Sequence, residues 1–111
     1  MKSYFENLGQ IAEQLKEDVY ELCQPEGRRV GRQGHLAAEN WVRNRLETSG
    51  CIPYAGDSFD LPYEVKGRHF INFAGVIPGR NRKLAPILIG AHYDSVIDAP
   101  CADDNGAAVA I

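Results

Sequence analysis

The sequence of 111 residues lacks the features of several protein classes. Its three cysteines are odd in number and form no Cys-x-x-Cys pair, so we expect neither a disulfide framework nor a cysteine-rich zinc module. The net charge is −3 and does not indicate the concentrated basic face that nucleic-acid binding normally needs, so no nucleic-acid partner is expected. No apolar run approaches the roughly 20 residues that span a bilayer, so no membrane contact is expected.

A secretory leader is also missing from the sequence as it stands. The N-terminal residues MKSYFENLGQIAEQ contain no apolar core of a signal peptide, so cytoplasmic residence is the default expectation. Glycine and arginine cluster in GRRVGRQG, residues 27–34. This stretch lacks the Gly-Lys-Ser/Thr ending of a phosphate-binding loop, and we interpret Arg28, Arg29 and Arg32 as part of a solvated loop.

Two segments have the periodicity of amphipathic helices. Apolar residues recur at helical spacing over residues 3–23, and Pro25 ends the pattern because proline disfavours helix at the residue before it. A second helix is predicted over residues 36–49, with Trp41 as a core residue and Gly50 as the glycine that follows its C-terminus.

Short apolar runs after Gly50 predict three strands, at residues 54–61, 70–77 and 86–91. The third is continuously apolar, which predicts burial on both faces. Helices followed by strands indicate an α/β fold with helices packed on a sheet. The sequence stops inside an apolar, helix-like segment, residues 106–111, and we therefore expect it to be a piece of a larger protein.

The candidate functional residues lie around the end of the third predicted strand. His92 and Asp94 follow that strand directly, and Asp104 precedes the last predicted helix. Ligand sites of open α/β sheets lie beyond the carboxyl ends of the strands, and imidazole with carboxylate is a zinc ligand set. In a continuing strand His92 and Asp94 would share a face, and Asp104 at a helix N-terminus would be favoured by the helix dipole. Either motif alone is typical of a surface pair or a turn, but together they predict a metal site.

Two sequence motifs carry a resemblance to a known family. GAHYDSV and PCADDNGAAVA, within residues 90–110, resemble the zinc aminopeptidases of the bacterial leucyl aminopeptidase type, whose relatives include glutamate carboxypeptidases and glutaminyl cyclases. The upstream order of helices and strands is also similar. The resemblance implies a fragment of a three-layer α/β/α fold with a mostly parallel or mixed central sheet. Residues 1–111 would then be the incomplete N-terminal part of a single catalytic domain.

The resemblance also implies roles for individual residues. His92 resembles a ligand to one zinc ion, Asp104 the carboxylate that bridges two zinc ions, and Asp94 the catalytic-site acid that orients His92. The peptide bond after the bridging aspartate, here Asp104–Asn105, is often cis in the family. Cys101 stands where the family usually has glycine. The general-base glutamate and the remaining zinc ligands have no candidate position in this sequence.

The implied activity is metal-assisted hydrolysis of N-terminal peptide bonds, with a peptide substrate. Because the motifs supply only two zinc ligands, we expect the isolated chain to bind zinc weakly and to be inactive. Three alternatives stay open: a non-enzymatic binding module, a truncated remnant of the family, and a glutaminyl cyclase-like enzyme. An incomplete sheet would leave an unpaired edge, so self-association of the fragment is also expected.

Overall fold

The computed structural model describes residues 4–111, which form two compact units. The first, here called the discontinuous unit, comprises residues up to 38 together with residues 89–111, and the second, the central unit, comprises residues 39–88. Whether both belong to one catalytic domain stays a prediction. Within the described residues, no helix combines the length and the apolar character that a membrane span requires.

Helix α1 covers Tyr4–Leu22 and confirms the first predicted helix; the predicted first residue, Ser3, lies outside the described residues. Its buried side includes Leu22, which is 4% exposed. The helix ends where Gln24 turns back and its side-chain amide donates a hydrogen bond of 2.6 Å to the Tyr20 carbonyl. Capping by this side chain satisfies one of the carbonyls that a helix C-terminus leaves unpaired.

Helix α2 covers Gln33–Thr48 and starts three residues earlier than the sequence predicts. Gly50 follows it with a φ of 82°, which confirms the predicted C-terminal glycine, because glycine adopts this left-handed conformation without steric cost. Trp41 is half-buried rather than a full core residue. The guanidinium of Arg45 lies 5.5 Å from the centre of the indole ring.

The strands of the central unit pair as two small antiparallel sheets. They are β1 (Ile52–Pro53), β2 (Asp60–Val65), β3 (Arg68–Phe73) and β4 (Gly75–Val76), with β1 paired to β4 and β2 to β3. The β2–β3 hairpin turns through Lys66 and Gly67, with φ values of 51° and 74°. A two-residue hairpin loop of this kind needs positive φ at both positions. The predicted strand at 54–61 is therefore misplaced, whereas the one at 70–77 is confirmed over most of its length.

The combination of helices and strands agrees with the predicted α/β class. The sheets among the described residues, however, are two-stranded and antiparallel, rather than a mostly parallel or mixed central sheet. The three-layer α/β/α arrangement stays a prediction.

The prediction of a buried strand at residues 86–91 is wrong. This segment is irregular, and Ile87, Leu88 and Ile89 are 91%, 95% and 90% exposed. A strand forms only where a neighbour receives its backbone hydrogen bonds, and no described residue pairs with this segment in a sheet. Its apolar composition favours a strand, but among the described residues there is no neighbouring strand to pair with it.

The interior of the discontinuous unit is partly polar. Helix α1 packs against α3 (Ala107–Ala110) and against the turn that precedes α3. Beside the apolar Leu22 and Ala38, the buried side chains include Arg28, which is only 1% exposed. The interpretation of the glycine- and arginine-rich stretch as a solvated loop is therefore wrong for Arg28. Its burial is possible because carbonyl oxygens distant in sequence accept its hydrogen bonds.

Candidate functional site

His92 and Asp94 lie in an irregular segment that runs beside the glycine- and arginine-rich loop. Nδ1 of His92 is 3.2 Å from Oδ1 of Asp94, so the two side chains meet although the strand predicted to align them is absent. The segment is fixed at Ser95, which is buried, and whose hydroxyl donates a 2.9 Å hydrogen bond to the Ile97 carbonyl. Ser95 also forms an isolated parallel bridge with Arg29.

Asp104 lies in a tight turn, Ala102–Gly106, and not in the helix that follows. Cys101 enters the turn in the left-handed conformation (φ 46°, ψ 50°), and the Gly106 amide closes it by donating a 3.2 Å hydrogen bond to the Cys101 carbonyl. The left-handed conformation favours glycine, which explains why glycine is the expected residue at this position. The Asp104–Asn105 bond is cis, as the resemblance implies.

The predicted contribution of a helix dipole at Asp104 needs correction. The helix α3 that follows contains only the four residues Ala107–Ala110, and Asp104 itself has φ −121° and ψ 84°, outside helical geometry. A dipole effect requires aligned peptides of a regular helix. The placement of Asp104 is therefore determined by the turn.

The structure brings together all three predicted site residues. Nε2 of His92 is 3.1 Å from Oδ1 of Asp104, so the imidazole has Asp94 on one ring nitrogen and Asp104 on the other. The side-chain amide of Asn105 adds a long hydrogen bond of 3.5 Å to the His92 carbonyl. The side chains of His92, Asp94 and Asp104 are 55%, 40% and 77% exposed, so they face solvent.

The geometry of His92 and Asp104 fits two ligands of one zinc ion. Tetrahedral ligands at about 2.0–2.2 Å from zinc lie about 3.3–3.5 Å from each other, close to the 3.1 Å between Nε2 and Oδ1. Asp94 is placed to accept the second imidazole N–H, the usual arrangement around a metal-bound histidine. Among the described residues, no three His, Cys, Asp or Glu side chains form a metal-binding group. The roles of His92 and Asp104 as ligands, and of Asp94 as the orienting acid, stay predictions.

Two histidines outside the motifs differ in their environments. His69 is exposed, with Nδ1 at 3.7 Å from a Glu64 oxygen. His35 is buried, its Nδ1 lies 3.1 Å from the Arg28 carbonyl, and its ring stacks on Tyr93 at 5.2 Å. It therefore supports the residue between His92 and Asp94, a contact that sequence reasoning missed because no motif links positions 35 and 93.

Comparison with protein-family models gives an independent observation on this segment. Residues 72–111 match peptidase family M28. The matched residues include His92, Asp94 and Asp104, and the match supports a relationship of this chain to the M28 zinc peptidases. A hydrolase of the protease class is thereby supported, in a family whose members typically use zinc. Searches of curated proteins and of solved structures gave no match.

Proposed function

We propose that residues 92–104 supply part of the dizinc site of an aminopeptidase that hydrolyses N-terminal peptide bonds. The observation that carries the proposal is the imidazole of His92 held between the carboxylates of Asp94 and Asp104. This arrangement lies within the segment that matches the M28 peptidases. In the proposal, His92 and Asp104 would hold zinc, with the Asp104 carboxylate contributing to both ions.

Each of the three side chains then has a distinct task. Asp94 would accept a hydrogen bond from Nδ1–H of His92, which leaves the Nε2 lone pair on the side of Asp104. Asp104 would contribute negative charge and two carboxylate oxygens, which is the type of group that can be shared between two cations. Zinc held by these residues would supply Lewis-acid chemistry, which polarises a carbonyl and lowers the pKa of water towards about 7.

The number of ligands sets what the isolated chain can do. A catalytic zinc site has at least three protein ligands, whereas His92 and Asp104 supply two. We therefore propose that further ligands and the general base belong to a larger parent protein, and that the 111-residue chain binds zinc weakly and is inactive. A peptide substrate and a cytoplasmic location also stay predictions.

Metal titration of the 111-residue protein tests the site. Cobalt(II) absorption and zinc competition against a chromophoric chelator would be measured for the wild type, His92→Ala and Asp104→Asn, with His69→Ala as the matched control. His92 and Asp104 are more than half exposed, so their replacement should leave the fold intact. Weak binding should be lost in both site variants and kept in His69→Ala. Binding that survives His92→Ala would contradict the site.

An activity assay tests the second part of the proposal. The isolated chain should not hydrolyse aminoacyl amides above the rate of a buffer blank with the same zinc concentration. Chelator-sensitive hydrolysis by the wild type that disappears in His92→Ala would show that the chain is sufficient for catalysis, and the prediction of inactivity would be wrong.

A further inference from the structure

We propose that Arg28 is a positioning residue that holds His92 and Asp104 at their observed separation. Its side chain acts on them indirectly, through the backbone. It donates hydrogen bonds to three backbone carbonyls in the two segments that carry them. The predicted effect on zinc binding rests on the proposed function, whereas the effect on the separation of the two side chains does not.

Arg28 fixes the segment of His92 through both its side chain and its backbone. Nε donates a 2.8 Å hydrogen bond to the carbonyl of Tyr93, the residue between His92 and Asp94. The Arg28 amide donates to the Ser95 hydroxyl at 2.8 Å, and the Ser95 amide donates to the Arg28 carbonyl at 3.1 Å. The backbone around His92 is therefore tied to position 28 by three hydrogen bonds.

The other end of the same guanidinium fixes the turn of Asp104. Nη1 donates to the Pro100 carbonyl at 2.7 Å, and Nη2 donates to the Cys101 carbonyl at 2.9 Å. The Cys101 carbonyl also accepts the Gly106 amide that closes the turn. One planar group thus links the base of the Asp104 turn to the carbonyl next to His92.

The side chains of His92 and Asp104 are held by few packing contacts of their own. The link through the Arg28 guanidinium is therefore important for their separation. His92 and Asp104 are largely exposed, so their separation depends mainly on where the backbone places them. The Arg28 side chain is buried, where water does not compete for its donors and hydrogen bonds are electrostatically stronger. Only a guanidinium offers donors in a rigid planar fork, because a lysine ammonium is a single point charge on a flexible chain.

The test compares Arg28→Met with Arg29→Met. Arg29 is the adjacent arginine, but its side chain is 44% exposed and its ion pair with Asp98 is 3.3 Å long, so the control removes the same charge without removing the link. Leu22→Ala is a second control, because it removes a buried side chain of the same unit and lowers stability, while the Arg28 side chain keeps its three carbonyl acceptors. Readouts are zinc affinity and nuclear Overhauser contacts between the His92 ring and the Asp104 β-protons.

Arg28→Met should lose the contacts between His92 and Asp104 and bind zinc about 10- to 100-fold more weakly, as is typical when a residue supporting metal ligands is replaced. Arg29→Met and folded Leu22→Ala should keep both properties. If Arg28→Met does not fold, Arg28→Lys replaces it as the test variant, because lysine keeps the positive charge but lacks the planar set of donors. Arg28→Lys should lose part of the His92–Asp104 contacts and part of the zinc affinity.

Two results would overturn the inference. In the first, the Arg28 variant keeps the His92–Asp104 contacts of the wild type. In the second, Leu22→Ala loses them to the same extent, which would show that general destabilisation is the cause. A wild type that binds no zinc would refute the proposed function alone, because the Overhauser contacts test the positioning role without metal.

Discussion

Replacement of Gly27 by alanine should destabilise the discontinuous unit more than replacement of a glycine that has the same left-handed conformation but open space around it. Gly27 has a φ of 72°, and a Cβ atom there would lie 2.6 Å and 2.8 Å from the oxygen and nitrogen of Ala99 and 2.8 Å from the Ile97 carbonyl oxygen. All three are backbone atoms, so the clash cannot be relieved by rotating a side chain. Alanine therefore adds a steric cost to the cost of the left-handed conformation.

Gly31 allows the conformational cost to be measured apart from the steric cost. It has the same left-handed conformation as Gly27, but a Cβ atom there would meet no neighbour. Its φ is 83°, and a Cβ atom would meet nothing within 4 Å. Gly31→Ala should therefore lose only the conformational contribution, about 1–2 kcal/mol. Overpacking costs about 1–3 kcal/mol, so Gly27→Ala should lose about 2–5 kcal/mol in total.

Urea denaturation followed by circular dichroism measures both differences, with the m-value checked for constancy between variants. Amide hydrogen exchange of residues 93–101 would assign the loss to the discontinuous unit. The reasoning is refuted if Gly27→Ala is no less stable than Gly31→Ala, since the close approach to residues 97 and 99 would then cost nothing.

Three further replacements test other contacts. The hydrogen bond to Asp60 raises the pKa of the Arg43 guanidinium, and the bidentate pair at 2.8 and 2.9 Å should make Arg43→Lys about 1 kcal/mol less stable in urea denaturation. A base with a raised pKa keeps its contribution until the solution is strongly alkaline, so this difference should be constant from about pH 6 to 9, and a change within that range would contradict the assignment. Cys101→Gly should raise the free energy of unfolding by about 1 kcal/mol, because it relieves a left-handed residue; an unchanged midpoint would contradict this. Asp94→Asn should weaken zinc binding about 10- to 100-fold with little effect on stability, and unchanged affinity in competition titrations would remove Asp94 from the site.

The helices could be predicted from the sequence because their determinants are local. The apolar period of α1, the proline after it and the glycine after α2 each act within a few residues. They account for α1 (Tyr4–Leu22) and for the end of α2 at Thr48, but not for its start at Gln33. The proximity of His92, Asp94 and Asp104 was also predictable, because their spacing accompanies a family resemblance. The turn at 102–106, rather than a strand or a helix dipole, produces that proximity.

Strand positions could not be predicted in the same way. The β2–β3 hairpin turns at Lys66 and Gly67, a pair outside the usual Asn-Gly and Asp-Gly turn sequences, so the sequence placed the first strand too early. Residues 86–91 have the composition of a buried strand, but a strand also requires a partner. Composition is a property of the segment itself, whereas pairing depends on residues far away in the chain.

Arg28 illustrates why a charged residue in a loop can be misjudged from sequence. Neighbouring residues at 27–34 suggest a solvated segment, because glycine and arginine together are typical of exposed loops. The acceptors of the Arg28 guanidinium lie 65, 72 and 73 positions away, and no local pattern reports them. Mutagenesis restricted to His92, Asp94 and Asp104 would therefore leave out the residue that connects their two segments. Comparing Arg28 with Arg29 provides the missing contrast, since two adjacent arginines of equal charge differ mainly in whether backbone carbonyls surround them.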